Sequence, residues 1–178
     1  MGQVSPVPSV KFFVITLHRD PEIVQTALTS LQQEFGKADF VSEDFPFEVT
    51  SYYENEMGAN LMRRICSFER LITPDLIAEA KRFTNNLEEQ FRSEKGRQIN
   101  LDPGYLDYYK VVLASTKYGG QKIYLANGIY ADMTLVMYKG KWESFDWSFP
   151  DFRSGLYAQV LSRIRDLYKT QVKALKPS

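Results

Sequence analysis

Polar and charged residues of the kinds that bind anionic ligands are concentrated in a few segments of this sequence. Guanidinium groups bind phosphate and carboxylate bidentately, and lysines and tyrosines add single hydrogen bonds. Two carboxylates beside them, Glu56 and Asp102, are the acid–base candidates if the site carries out a reaction. The candidate ligand-binding residues are Tyr52, Tyr53, Arg63, Arg64, Tyr105, Lys110, Asp151 and Arg153. The alternative role for each of them is structural, with acid–base pairs that fix aromatic loops over a sheet.

Arg63 and Arg64 are adjacent at the start of a strand-like segment, MRRICSFERLI. Successive side chains of a strand point to opposite faces, so a single pocket can take at most one of the two arginines. We therefore expect either Arg63 or Arg64, together with Arg153, to supply the guanidinium contacts to a ligand.

The sequence lacks the residues that several common kinds of site require. It contains one histidine, His18, and one cysteine, Cys66, so a Cys/His zinc site would have no further partners. A G-x-S-x-G nucleophile elbow, a phosphate-binding G-x-x-x-x-G-K-[ST] loop and a dinucleotide-binding G-x-G-x-x-G turn do not occur. We expect no metal and no cofactor, a buried structural thiol at Cys66, and a strand-end His18 bonded to backbone rather than a catalytic one.

The balanced overall charge argues against partners that bind a protein mainly through a strong electrostatic field. Lysine plus arginine and aspartate plus glutamate both number 22, so extensive nucleic-acid binding and attraction to an anionic membrane are not expected, although a local basic patch remains open. There is no signal-like or membrane-spanning apolar segment, which predicts a soluble cytoplasmic protein. The length of 178 residues favours a single domain, 1–178, with a flexible lead-in at 1–10. The oligomeric state is left open.

Helix-start and helix-stop signals define the elements that would position these residues. Asp20-Pro21 and Thr73-Pro74-Asp75 each supply an N-cap followed by a first-turn proline, and Gly36 and Gly96 are the matching stop signals. A third helix is predicted from about Ser154. Strand-like segments lie before, between and after the first two helices, and those in the C-terminal half are joined by the hairpin signals Asn-Gly and Lys-Gly.

The order strand, helix, strand, strand, helix, strand is that of ferredoxin-like βαββαβ domains. We therefore predict an α+β fold with a mainly antiparallel sheet and such a core, extended by a C-terminal β-meander and a final helix. The two proline-started helices should pack on one face of the sheet. Pro103-Gly104, within NLDPGYL, is typical of a turn and is predicted to interrupt the chain after the second helix.

Five segments of this sequence resemble an uncharacterised family of small bacterial proteins, classified as a domain of unknown function. They are FPFEVTSYYENEMG, SFERLI, LDPGYL, IYLANGIYA and WSFPDFRS, in this order over nearly the whole chain. Some members carry the automatic name GTP-binding protein, but this sequence has no N-K-x-D guanine-reading motif. Where members often have a histidine before IYL, this chain has Gln121-Lys122. The resemblance implies that LDPGYL belongs to a rim shared with the other segments.

These observations predict a protein that binds a small anionic or phosphorylated ligand, such as a nucleotide, in one pocket formed by polar and aromatic loops. Whether the pocket is catalytic is left open. The alternative is a non-catalytic protein–protein interaction module that uses exposed aromatic loops, because Tyr, Trp and Arg dominate binding hot spots.

Overall fold

The first strand forms the centre of the molecule. The structure, a computed structural model, describes residues 2–50 and 53–175. Strand β1 (Val10–His18) is buried along its whole length and lies between two antiparallel neighbours, β4 (Met62–Ile72) and β5 (Ile99–Leu106). A strand that is buried on both faces requires a cover on each side, and helices supply both covers.

Alternate residues of β1 belong to two separate cores. Phe12 and Val14 pack with helices α1 (Pro21–Phe35) and α3 (Ile77–Gln90), whereas Phe13 and Ile15 pack with α5 (Ala158–Leu175). The prediction that the two proline-started helices share one face of the sheet is therefore confirmed. The final helix covers the opposite face.

The first part of the sheet has the predicted ferredoxin-like topology. Strand β2 (Ala38–Val41) pairs with β4, which gives the order β2-β4-β1-β5, and all neighbours are antiparallel. The short strand β3 (Phe45–Pro46) also pairs with β4. The segment DFVSEDFPF thus contains two short strands, both paired with β4, instead of one continuous strand.

The C-terminal strands, here called the meander, extend the same sheet to nine strands within the described residues. They are β6 (Lys110–Ser115), β7 (Ile123–Ala126), β8 (Ile129–Tyr138) and β9 (Lys141–Ser144). Strand β6 pairs with β8 and not with the next strand, β7, so the predicted meander order is not kept. Both predicted hairpin turns are present, and both of their central residues have positive φ: 53° and 77° at Asn127-Gly128, and 45° and 81° at Lys139-Gly140. Such paired positive φ values are those of type I′ turns, which match the twist of the flanking strands.

The helix boundaries agree with the start signals better than with the stop signals. Asp20 caps α1 by accepting a hydrogen bond of 2.9 Å from the Glu22 N–H, and Gly36 ends the helix with a φ of 92°. α3 follows a single 3₁₀ turn (Pro74–Leu76) and ends at Gln90, well before the stop predicted at Gly96. No helix within residues 2–50 and 53–175 has an apolar stretch long enough to cross a membrane.

Two short helices were not predicted. The four-residue helix α2 (Glu54–Met57) lies within the segment FPFEVTSYYENEMG, and α4 (Pro150–Arg153) precedes the final helix. α5 consequently begins at Ala158 and not near Ser154, because the chain makes a separate turn through Gly155, whose φ is 76°.

Pro103-Gly104 lies inside β5, so the predicted turn is wrong. Leu101, two residues earlier, directs its N–H and C=O away from β1, toward Glu88 and Lys81 of α3. By the alternation of an antiparallel ladder, the nitrogen of Pro103 faces the same side as the Leu101 N–H. The missing N–H of proline therefore leaves no hydrogen bond to β1 unmade, which is the condition under which a strand accepts proline.

Gly104 is required by close packing and not by a turn. A Cβ at this position would lie 2.5 Å from the carbonyl oxygen of Val112 and 2.8 Å from the side chain of Leu113 on β6. It would also lie 3.0 Å from the ring of Phe13. Glycine therefore permits β5 to approach β6 closely where the two strands begin to pair.

We predict that Gly104→Ala lowers the free energy of unfolding by about 1–3 kcal/mol, because the backbone of β6 must move to admit the methyl group. Gly120→Ala is the matched control, since nothing lies within 4 Å of a Cβ at that position. Urea unfolding of both variants measures the difference. Equal stability of the two variants would contradict the packing argument.

Candidate functional site

A cleft opens where β5 and β6 separate. The two strands pair only from Gly104↔Leu113 to Leu106↔Val111, and the remainder of β5 has β1 as its only strand neighbour in the described chain. A cavity of about 220 Å³, here named the β5–β6 cleft, lies at this opening. α3 forms one of its walls and Phe152 of α4 contributes to another, so the cleft takes residues from both helical layers.

Two charged side chains of α3 replace the missing strand beside β5. The Nζ of Lys81 donates a hydrogen bond of 2.8 Å to the carbonyl of Leu101, and Glu88 Oε1 accepts one of 2.8 Å from the Leu101 N–H. Both side chains are almost fully buried. Burial raises the pKa of Glu88, and the positive charge of Lys81 acts against that rise. The primary role of this pair is to satisfy the open edge of β5.

Asp102 lies beside the Lys81 ammonium and faces the cleft. Its Oδ1 is 3.2 Å from Lys81 Nζ, and its Oδ2 accepts a hydrogen bond of 2.8 Å from the side-chain amide of Asn100. Burial opposes ionisation of Asp102, but Lys81, Arg63 and Asn100 together hold its pKa below the ordinary value. Asp102 is therefore an ionised carboxylate at neutral pH.

Arg97 joins the two acid–base candidates into one network. It makes two hydrogen bonds to Glu56, of 2.8 and 2.7 Å, and its Nη1 donates to Asn100 at 2.9 Å and to Glu88 at 3.2 Å. Asn100 in turn holds Asp102. The hydrogen bonds from Arg97 lower the pKa of Glu56. Glu56 thus lies behind Arg97, whereas Asp102 itself lines the cleft.

Arg63 lines the cleft and is held from behind. Its side chain is 3% exposed, its Nη1 lies 3.3 Å from Asp151 Oδ2, and its guanidinium lies over the ring of Phe47 at 4.5 Å. Asp151 is also buried and accepts a hydrogen bond of 2.9 Å from the hydroxyl of Tyr157. These contacts fix the orientation of the Arg63 guanidinium.

The meander supplies the facing wall of the cleft. Lys122 Nζ donates a hydrogen bond of 2.9 Å to Ser115 Oγ and lies 3.3 Å from Asp132 Oδ2. Lys117 lines the same wall. Trp147 contributes a half-exposed ring that stacks on Phe145 with a centroid distance of 4.6 Å.

The structure brings only part of the predicted set to this cleft. Tyr53, Arg63 and Asp102 line it, and Glu56 and Asp151 lie directly behind lining residues. Tyr52 lies outside the described residues.

The remaining predicted residues are placed elsewhere. Tyr105 belongs to the core beneath α1 and α3, and Lys110 pairs with Asp107 beside the turn between β5 and β6. Arg153 is exposed on α4, where its Nη1 lies 3.4 Å from the carbonyl of Asp146. Arg153, which was predicted to contact the ligand together with Arg63 or Arg64, is not among the described lining residues of the cleft.

Arg64 points away from the cleft, as strand alternation requires. It makes a bidentate pair with Asp44, with both hydrogen bonds at 2.7 Å. His18 lies beside this pair, with its Nε2 3.4 Å from Asp44, and its Nδ1 is 3.0 Å from the hydroxyl of Thr16. The partner of His18 is therefore a side chain and not the backbone. Cys66 is buried as expected, and burial raises its pKa to about 12.

Several lining residues were missed by the sequence reasoning. Lys81, Asn85 and Glu88 lie at i, i+4 and i+7 of α3, a spacing that places three polar side chains on one stripe beside the apolar one. This spacing was visible in the sequence. Nothing comparable indicated Lys122 or Asp132, because their meeting depends on the pairing of the meander strands.

The described residues contain no group of three or more His, Cys, Asp or Glu side chains that could hold a metal ion. Cations and carboxylates are prominent among the described lining residues of the cleft.

Comparison with known proteins identifies the family of this chain. The model of the family described as Domain of unknown function (DUF4416) matches residues 8–168, so the chain belongs to that family. No curated protein and no solved structure matches it. The family description names no activity.

We predict that Lys81→Met lowers the free energy of unfolding by about 3 kcal/mol, because it leaves the Leu101 carbonyl and the Asp102 carboxylate without their buried cation. Arg82→Met is the control, because Arg82 is exposed at the next position of the same helix, and it should change stability by less than about 0.5 kcal/mol. Chemical denaturation compares the two variants. A loss in Lys81→Met as small as that in Arg82→Met would show that the β5 edge needs no such partner.

We predict that folding stability falls as the pH decreases from 7.5 to 5.5, and that His18 is the cause. Burial lowers the pKa of His18, and nearby Arg64 acts in the same direction against the opposing effect of Asp44. Below the unfolded-state pKa of about 6.5 the unfolded chain takes up a proton that the folded chain does not. Stability is therefore complete above this pKa and decreases below it, by at most about 1.4 kcal/mol per pH unit.

The test is urea unfolding of the wild type and of His18→Gln at several pH values. Because the chain has one histidine, and the raised pKa of Glu88 acts in the opposite direction, the fall in stability toward low pH should be largely lost in the variant. An equally steep dependence in His18→Gln would assign it to another group.

Proposed function

We propose that this member of the family binds a small anionic ligand, a phosphorylated metabolite such as a nucleotide, in the β5–β6 cleft. The observation that carries the proposal is the charge of the described lining residues, of which five are cationic and three acidic. The cations are Arg63, Lys81, Arg97, Lys117 and Lys122, and the acids are Glu88, Asp102 and Asp132. Two further carboxylates, Asp151 and Glu56, pair with Arg63 and Arg97 but do not line the cleft, so the cationic excess is confined to the lining itself. A concave surface that presents cations in this way attracts negative charge.

The arrangement of the arginines supports an anionic ligand. Asp151 and Glu56 hold Arg63 and Arg97 from positions that do not line the cleft. Each carboxylate offsets the cost of burying its guanidinium and fixes the orientation of that group before a ligand arrives. Preorganised cations contribute more to binding than mobile ones, because less side-chain freedom is lost when the ligand enters.

The lysines divide into two kinds according to what they already bind. Lys81 is used by the Leu101 carbonyl and by Asp102 on the α3 wall. Among the described contacts, Lys122 is held by a hydroxyl and one carboxylate at the meander wall. We therefore assign the principal phosphate contact to Lys122, which can exchange the Ser115 hydroxyl for a ligand oxygen without exposing a backbone group.

The proposal is one of binding and does not include a reaction. Asp102 has a lowered pKa and is paired with Lys81, so it suits a fixed negative charge better than a proton donor. Glu56, the other acid–base candidate, is bound in both oxygens by Arg97.

The interaction module is the second candidate function, and half-exposed Trp147 and Phe149 are the observation in its favour. Both residues line the β5–β6 cleft. Since they border a concave charged site and not a flat apolar surface, a small ligand explains their position better than a protein partner does.

The proposal predicts that phosphorylated compounds stabilise the wild type and that Lys122→Met weakens this effect about tenfold or more. Thermal shift and calorimetric titration with inorganic phosphate, ribose 5-phosphate and nucleoside monophosphates provide the measurement. A ligand at 100 times its Kd adds about 2.7 kcal/mol to the free energy of unfolding, which is a readily detected shift.

The matched control is Lys110→Met. Lys110 also begins a stretch of the meander and pairs with an aspartate, but it does not line the cleft. Arg153→Ala, at an exposed position of α4, should likewise bind unchanged. Absence of stabilisation by every compound, or equal binding by Lys122→Met and Lys110→Met, would refute the proposal.

A further inference from the structure

Three tyrosines form an exposed cluster next to the β5–β6 cleft. The rings of Tyr118 and Tyr124 both pack edge-on against Tyr130, with centroid distances of 5.9 and 5.5 Å. Tyr118 is 79% and Tyr124 58% exposed. This tyrosine cluster (Tyr118, Tyr124 and Tyr130) is not used by either core of the protein.

The tyrosine cluster is continuous with the cationic wall of the cleft. Tyr130 and Asp132 are two residues apart on β8, so their side chains lie on the same face of the strand, about 7 Å apart along it. Tyr130 also pairs in register with Ser115, which lines the cleft, and with Tyr124 of β7. Aromatic rings thus follow directly after the charged groups along one face of the sheet.

Lysines accompany the aromatic residues in the sequence as well. Lys117 immediately precedes Tyr118, and Lys122 lies two residues before Tyr124. Both lysines line the cleft. The combination places cations at one end and exposed aromatic faces at the other, which is the arrangement that binds a phosphate joined to a planar ring.

We infer that the ligand of the cleft carries a planar aromatic ring as well as a phosphate, as in a nucleoside monophosphate, and that the tyrosine cluster stacks against this ring. The inference rests on the proposed function, because it requires the phosphate to lie beside Lys122. Stacking on tyrosine tolerates any base, since every base has a π face. The contribution of the ring should therefore be similar for the four common bases.

The charges around the tyrosine cluster disfavour a second copy of this chain as its occupant. Lys117 and Lys122 border the rings, and the nearby carboxylate of Asp132 is already paired with Lys122. Two identical faces of this kind would bring lysines against lysines. A partner that covers the cluster must carry negative charge of its own, which a phosphate supplies.

The experiment compares probes that differ only in the ring. Adenosine, guanosine, cytidine and uridine 5′-monophosphates and ribose 5-phosphate are titrated calorimetrically into the wild type. Each nucleotide should bind about tenfold or more tightly than ribose 5-phosphate, in line with the measured effect of one stacked base. In Tyr124→Leu most of this advantage should disappear while the affinity for ribose 5-phosphate is kept.

Tyr109→Leu is the matched control, because Tyr109 is 68% exposed but lies in the turn between β5 and β6, outside the cleft. Tyr118→Leu changes a residue outside the strands, so it reports on stacking even if Tyr124→Leu disturbs the β7 edge. Its nucleotide affinity should also fall toward that of ribose 5-phosphate, whereas Tyr109→Leu should bind as the wild type does.

The outcomes separate this inference from the proposed function. If nucleotides and ribose 5-phosphate bind equally, and Lys122→Met weakens both, the tyrosine cluster does not stack and only the phosphate site stands. If no probe binds, both proposals are wrong. A wild-type dimer in light scattering that Tyr124→Leu converts to monomers would overturn the inference in favour of self-association.

Discussion

The open edge of β5 at Leu101 is the constraint on which the site depends. A backbone N–H and a carbonyl must be satisfied where no strand is available, and α3 provides Lys81 and Glu88 for the purpose. Burying these two charges creates further demands, which Asp102 and Arg97 meet. The charged character of the cleft thus begins as a solution to a hydrogen-bonding problem in the sheet.

The same constraint explains why the network is extensive. A buried ion is tolerated only when it is paired and hydrogen-bonded, so each buried charge requires a further charged or polar partner beside it. Glu88 alone does not provide enough hydrogen-bond acceptors for the Arg97 guanidinium. Glu56, on the short helix α2, accepts two further hydrogen bonds from it. Several hydrogen bonds consequently hold the α3 wall of the cleft, whereas the meander wall contains the simpler trio of Ser115, Lys122 and Asp132.

The sequence was sufficient where structure is determined locally and insufficient where it depends on pairing between distant segments. The start of α1 at Asp20-Pro21 and the I′ turn at Asn127-Gly128 follow from adjacent residues, and strand alternation separates Arg63 from Arg64. The prediction for Pro103-Gly104 was wrong because the pair that favours a turn also suits a strand with two special positions. At the first position no N–H donor is needed, and at the second there is no room for a Cβ. Only knowledge of which strands lie beside β5 distinguishes the two uses.

The candidate site was predictable to a lesser degree for the same reason. Sequence reasoning weighted exposed loop residues, whereas much of the cleft is built from α3 and from strand edges. Glu56 and Asp102 do share a network, but the arginine that connects them is Arg97 and not Arg153. An arginine that precedes a strand by two residues carries no local signal of this role.

The central position of β1 has a consequence for the synthesis and folding of the chain. This strand precedes all the other elements described, yet its second neighbour, β5, ends at Leu106, and α5 covers its remaining face only with residues 158–175. Lys11 of β1 likewise donates a hydrogen bond to Gln171, which lies near the end of α5. Pairings over such separations close large loops and fold slowly. While the chain emerges from the ribosome, one face of this fully buried strand therefore stays uncovered until α5 has been made, and exposed apolar surface of this kind is what chaperones protect.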